Sequence, residues 1–149
     1  METRTILAAE DNEDDVYMLQ RAFAKARLDC RLQIVTDGEE ALAYLRGQGK
    51  YTDRSAFPFP ALLLLDIKMP KLTGLDVLRA IRGDNALKRL RVIMFTTSIY
   101  EHDRITASDL HANSFLLKPS DPDASVQVLK MVENYWLAMD RMGTGTTLM

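Results

Sequence analysis

Cysteine is all but missing from these 149 residues. Cys30 stands alone, so no disulfide can close within the chain, and the paired spacing of a zinc site is absent. A cytoplasmic setting is the expectation that follows. An excess of one charge is missing too. The 19 basic and 21 acidic side chains nearly cancel to a formal −2, which leaves no overall positive field of the kind that holds nucleic acid. No apolar run is long enough to cross a membrane, and the N-terminal METRTILAAED turns acidic too soon for a secretory leader. What the chain does have is 47% apolar and 27% charged residues, the balance of a folded globular protein. The length suits one ordinary domain with a sizeable core, expected over residues 1–140, with residues 141–149 as a flexible tail.

Short apolar runs alternate with longer amphipathic ones. Residues 5–9, 31–35, 61–67, 92–97 and 114–118 read as strands. Residues 14–26 read as a helix with Val16, Leu19 and Phe23 at helical spacing and acids at its start. DGEE resembles a capping box opening a second helix that turns Leu42 and Leu45 inward. Residues 74–82 follow with Leu75, Leu78 and Ile81 in register, then a weaker helix over 103–111. A long last helix runs from Pro122, tolerated in a first turn, to about Met139. Residues 47–60, GQGKYTDRSAFPFP, hold many breakers and no steady period and read as the longest surface loop.

Strand–helix alternation predicts a parallel sheet covered on both faces by right-handed crossovers. The run LLLL before Asp66 fits, because a strand buried on both faces needs no polar alternation. Ligands of such sheets gather beyond the carboxyl ends of the strands, which is where Glu10, Asp11, Asp66, Thr96 and Lys118 fall. Each alone has an ordinary explanation. An Asp after a strand caps or turns, acids before a helix favour its dipole, a threonine suits a strand, and a lysine is solvated. Their meeting at one rim is different. Close carboxylates repel unless a cation joins them, and hard oxygens with room for water suit Mg²⁺. An aspartate beside Mg²⁺ and a lysine is a candidate nucleophile toward phosphorus, forming an acyl phosphate while the cations neutralise the transferring oxygens.

These residues, their intervals, and DIKMPKLTG with Pro70 and Gly74 behind the aspartate resemble the receiver domain of two-component response regulators over about residues 4–139. The resemblance implies a flavodoxin-like doubly wound (βα)5 sandwich with strand order 2-1-3-4-5. It implies that Asp66 accepts a phosphoryl group from a sensor histidine kinase or a phosphotransfer protein. Mg²⁺ would be held by Asp11, Asp66 and the backbone carbonyl of Lys68, with Glu10 binding through water. Lys118 would bond to the phosphoryl group, and Thr96 would turn its hydroxyl onto a phosphoryl oxygen. Lys118–Pro119 is expected to be a cis peptide that aims the lysine, although X-Pro bonds are more often trans. The switch would pair Thr96 with Phe115, which lacks a hydroxyl and so reports by packing alone, as phosphorylation shifts a pre-existing equilibrium. Lys68 and Ser98 occupy positions that influence water attack on the phosphoryl group in this family, and Thr97 is bulkier than the residue often found there.

With no length left for an output domain, the signal is expected to leave through the receiver's own surface. On the last helix Val128, Met131, Val132, Tyr135 and Met139 share one direction, with Leu129 and Trp136 to one side, a wider apolar arc than one core face requires. Val128, Met131, Tyr135 and Trp136 are therefore candidate contacts of a homodimer through helix 4, strand 5 and helix 5. The long loop, TTS, HANSFLLKP and ENYW also resemble small stand-alone receivers paired with phytochrome-type sensor kinases. Two rival readings remain. A phosphatase working through an aspartyl phosphate would place a second Asp two residues after the nucleophile as acid and base, where this chain has Lys68. A receiver-like module that signals without phosphorylation would have no use for a complete site. The expectation is a phosphoacceptor signalling protein rather than an enzyme, with neither nucleic acid nor membrane as partner.

Overall fold

Leu62–Leu65 form β3, the middle strand of the protein, and all four leucines are buried. A computed structural model describes residues 3–141, of which 136–141 are described in backbone only. In chain order the elements are β1 (Arg4–Ala9), α1 (Glu13–Ala26), β2 (Cys30–Val35), α2 (Gly38–Arg46), β3, α3 (Gly74–Arg82), β4 (Arg91–Thr96), α4 (Glu101–Asp109), β5 (Ser114–Leu117) and α5 (Pro122–Arg141). The five strands are parallel and lie in the order β2-β1-β3-β4-β5, the order the resemblance implies.

Two separate cores explain the leucine run. Successive side chains of a strand point to opposite faces, so Leu63 and Leu65 join Leu7, Val92 and Met94 under α2, α3 and α4. Leu62 and Leu64 join Ile6, Ala8, Ile93 and Phe95 under α1 and α5. Each buried leucine contributes about 1.5–3 kcal/mol, and with helices on both faces no position of β3 can be polar until the strand ends.

Helix starts follow local chemistry. The Asn12 side chain caps α1 by accepting from the Asp15 amide at 2.9 Å. Asp37 caps α2 through the Glu40 amide at 2.7 Å, while the Glu40 carboxylate accepts the Tyr51 hydroxyl at 3.0 Å. The reciprocal capping box occurs instead on α3, between Thr73 and Asp76. α4 begins earlier than its periodicity suggests and has no side-chain cap at Tyr100; within it only Ala107 is buried.

The loop between α2 and β3 lies at the surface, with most of its residues exposed. It contains a 3-10 turn at Gly49–Tyr51 and folds back onto α2, stacking Tyr51 and Phe57 against Tyr44. On α5 the inward residues are Val126, Leu129 and Val132, while Val128 is half-buried and Met131 and Tyr135 are exposed. α5 packs on α1 as well as on the sheet. The side chains of Trp136 and Met139 and most of the expected tail lie outside the described residues.

Candidate functional site

The sheet brings four strand ends together. The Asp66 amide donates to the Ala9 carbonyl at 3.1 Å, so Asp66 leaves β3 beside the point where Glu10 leaves β1. The Lys118 amide donates to the Thr96 carbonyl at 2.8 Å, which seats Lys118 just past β5 and next to the end of β4. β1 lies between β2 and β3, so this rim is also where the strand order reverses.

The Lys118 ammonium sits among three carboxylates. It donates to Asp66 Oδ2 at 2.8 Å, to Asp15 Oδ2 at 3.0 Å, and to Glu10 Oε1. The other oxygen of Asp66, Oδ1, accepts from the Ile67 amide at 2.7 Å, and Glu10 Oε2 accepts from the Asn12 amide at 3.1 Å. Glu10 and Asp66 are buried. Burial is the largest influence on Glu10 and pushes its carboxyl up to about 7, against the Lys118 hydrogen bond, which pulls it down. For Lys118 burial alone would lower the ammonium; the bonds to Asp66 and Glu10 outweigh it and raise the group above its ordinary value. The lysine therefore keeps its charge in a nearly closed site.

The backbone after Asp66 is held tightly. The Gly74 amide donates to the Ile67 carbonyl at 2.8 Å, and a Cβ at Gly74 would stand 2.0 Å from the Asp66 carbonyl oxygen. Only glycine allows α3 to start so close to the aspartate. This is the physical reason for the glycine in DIKMPKLTG.

The donor set fits a small hard divalent cation. Among the described residues, one carboxylate oxygen each from Glu10, Asp15 and Asp66 lie within 4.8 Å of one another. Three carboxylates face one ammonium, an excess of negative charge that Mg²⁺ would offset with oxygen ligands it prefers. A cavity of about 140 Å³ opens beside the cluster, lined in part by Glu10, Asp15, Lys118, Pro119, Ser120 and Ser125.

The structure thus brings together Glu10, Asp66 and Lys118. Asp11 is exposed at the same rim and outside the carboxylate group, and the Lys68 residue is exposed. Thr96 is buried at the end of β4, and Phe115 is half-buried, packed on the core under α4. Asp15 is the residue that strand-end reasoning missed. Its signal was Asn12: a cap there makes Asp15 the third residue of α1, one turn in and facing back to the rim. The Lys118–Pro119 peptide is a correction, since among the described residues there is no cis peptide bond. The trans form is the cheaper one by about 0.5–1 kcal/mol, and the ammonium reaches all three carboxylates from it.

Residues 6–130 match the response regulator receiver domain. The response regulator Rcp1 of Synechocystis is 35% identical over 134 residues, covering 90% of this chain and 89% of that protein. A Mn²⁺-bound structure of Rcp1 superposes with a TM-score of 0.78 at 34% identity, covering 98% of this chain and 99% of that one. The phosphorylated cyanobacterial phytochrome response regulator RcpA gives a TM-score of 0.83 at 36% identity, with 93% of this chain and 96% of that one covered. RPA3017, a response regulator in red light signalling of R. palustris, gives 0.84 at 33% identity, with 98% and 99% covered. Among the described residues no helix is long and apolar enough to cross a membrane.

Proposed function

Because the chain belongs to the response regulator receiver domain family, we propose that Asp66 is its phosphoacceptor and that a sensor histidine kinase or a histidine phosphotransfer protein is the donor. Phosphorylation and Mg²⁺ binding are general to the family. The observation that carries the reading is the Asp66 side chain itself, buried at a strand end, with one oxygen on the Ile67 amide and the other on the Lys118 ammonium. An Asp66 oxygen forms a bond to phosphorus as the bond from phosphorus to the donor nitrogen breaks. Lys118 holds the new charge, and Thr96 donates its hydroxyl to a phosphoryl oxygen.

Mg²⁺ would be held by Asp11, Asp66 and the Lys68 carbonyl, with Glu10 through water, and Asp15 adds a carboxylate already grouped with Glu10 and Asp66. The ion supplies charge neutralisation on the transferring oxygens. Chemistry on the protein is limited to its own phosphorylation and hydrolysis. A phytochrome-type kinase is the upstream partner we favour, on the likeness to RcpA and RPA3017. A homodimer through α4, β5 and α5 is the output, on the exposure of Leu117, Met131 and Tyr135 along that face.

Incubation with acetyl phosphate and Mg²⁺, followed by intact-mass measurement, tests the acceptor. Wild type is expected to gain one phosphoryl group and Asp66→Asn none. No gain in wild type, where Rcp1 gains one under the same conditions, overturns the reading.

A further inference from the structure

A chain of hydrogen bonds leads from the Thr96 hydroxyl to the first turn of α4. Thr96 and Ser98 are buried, 1% and 5% exposed. The Ser98 amide donates to Thr96 Oγ1 at 3.2 Å, and the Ser98 hydroxyl donates to Asp103 Oδ2 at 2.6 Å. The Tyr100 amide closes the turn by donating to Ser98 Oγ at 3.4 Å. A hydroxyl-to-carboxylate bond of 2.6 Å lies in the charge-assisted range, roughly twice as strong as a neutral one.

Little else holds this segment. Ile99 and Tyr100 are 82% and 66% exposed, α4 has no side-chain cap at Tyr100, and Ala107 is its one buried residue. Ser98 has a single hydroxyl proton, and Asp103 takes it. The Ser98 amide uses the Thr96 hydroxyl as an acceptor, which leaves the threonine's own proton for another oxygen. Orientation of that proton therefore depends on where residue 98 is held, and residue 98 is held by Asp103.

We infer that Ser98 and Asp103 are positioning residues: their bond fixes the β4–α4 connection so that the Thr96 hydroxyl is set to donate to a phosphoryl oxygen. The same bond makes the first turn of α4 sense that donation. The inference rests on Asp66 being the phosphoacceptor. A bond that only steadied α4 would leave phosphoryl affinity unchanged, so affinity is the decisive readout.

Beryllofluoride with Mg²⁺ serves as the phosphoryl mimic, titrated against wild type, Ser98→Ala, Asp103→Ala, the double variant and Ser98→Thr. Each alanine variant is expected to bind the mimic about tenfold more weakly, the worth of one hydrogen bond to a charged group. The double variant is expected to lose no more than either single one, because both remove the same interaction. Ser98→Thr, which keeps the hydroxyl, is expected to stay within about twofold of wild type. Hydrogen exchange at residues 100–104 is expected to slow on mimic binding in wild type and in Ser98→Thr, and not in the alanine variants. Alanine variants that bind as wild type does, or penalties that multiply in the double variant, overturn the inference while the acceptor reading stands. A wild type that fails to bind the mimic overturns both.

Discussion

At Cys30 the carboxylate that fastens α5 to the edge of the sheet also quiets the thiol. Glu133 Oε2 accepts the Asp29 amide at 3.0 Å and the Cys30 sulfhydryl at 3.8 Å. Burial, and then the charge of Glu133, push the thiol up to about 12 from an ordinary 9.0. The folded protein thus keeps a proton that the unfolded chain releases above 9, so the stability this group contributes is lost as pH rises from 9 toward 12. Alkylation by iodoacetamide at pH 8, followed by mass spectrometry, is expected to run about a hundredfold or more slower than in the denatured chain. Glu133→Gln is expected to speed it; equal rates in folded and denatured protein would contradict this. Individual residues also mark where sequence reading stops. Glu10, Asp66 and Lys118 were legible, because strands that end at one rim must bring their next residues together. That Asp15 joins them was not, since it depends on which residue caps α1 and so on the rotation of the first turn. The Lys118–Pro119 isomer was not legible either, because the two forms differ by only about 0.5–1 kcal/mol and local sequence barely decides between them.

Among the elements, the long connection before β3 holds an order that its sequence does not display. Arg54 explains why it is ordered. Its guanidinium donates to the carbonyls of Tyr44 at 2.8 Å, Leu45 at 2.9 Å and Phe57 at 3.1 Å, satisfying the end of α2 and the loop at once. It also lies over the rings of Tyr44 and Phe59, a planar cation suited to such stacking. Gly47, in the left-handed conformation at φ 64°, ends α2 beneath it, and a Cβ there would meet the guanidinium at 2.9 Å. Arg54→Met is expected to cost about 2–3 kcal/mol in urea unfolding, because three carbonyls lose a charged donor. Phosphorylation from acetyl phosphate is expected to persist at wild-type level, since none of these groups touches the Asp66 cluster. Loss of less than half a kcal/mol, roughly the scale of a surface change, would mean that the aromatic packing alone holds the loop. The strands and α1, α3 and α5 were legible to within a residue or two, because burial on a regular element repeats with that element's period. Tyr51, Phe57 and Arg54 are buried or half-buried by a chain that doubles back, and such burial has no period to read.

For the whole molecule, the alternation of strands and helices forces a parallel sheet and two cores, but hydrophobic pattern alone does not order the strands; that order came with the family resemblance. Once the order is set, β5 is an edge strand and its far side is flanked by α4 and α5. Leu117 is 51% exposed there, Met131 52% and Tyr135 48%. A shallow cavity of about 230 Å³ lies between the end of the sheet and α5, lined by Ile93, Leu116, Met131, Val132 and Tyr135 among others. Tyr135 combines a large apolar ring with exposure at the mouth of that cavity, the combination found at anchors of protein interfaces. Sedimentation equilibrium of wild type is expected to show a concentration-dependent mass between monomer and dimer, shifted toward dimer by beryllofluoride. Tyr135→Glu is expected to weaken association by about thirtyfold or more, the scale of losing a central aromatic anchor. Because Tyr135 is half exposed in the monomer, the same substitution is expected to leave the midpoint of thermal unfolding of a dilute sample nearly unchanged, which separates an interface effect from a folding defect. A monomer mass at every concentration, with and without the mimic, would remove the dimer and leave this face to the partner that receives the signal.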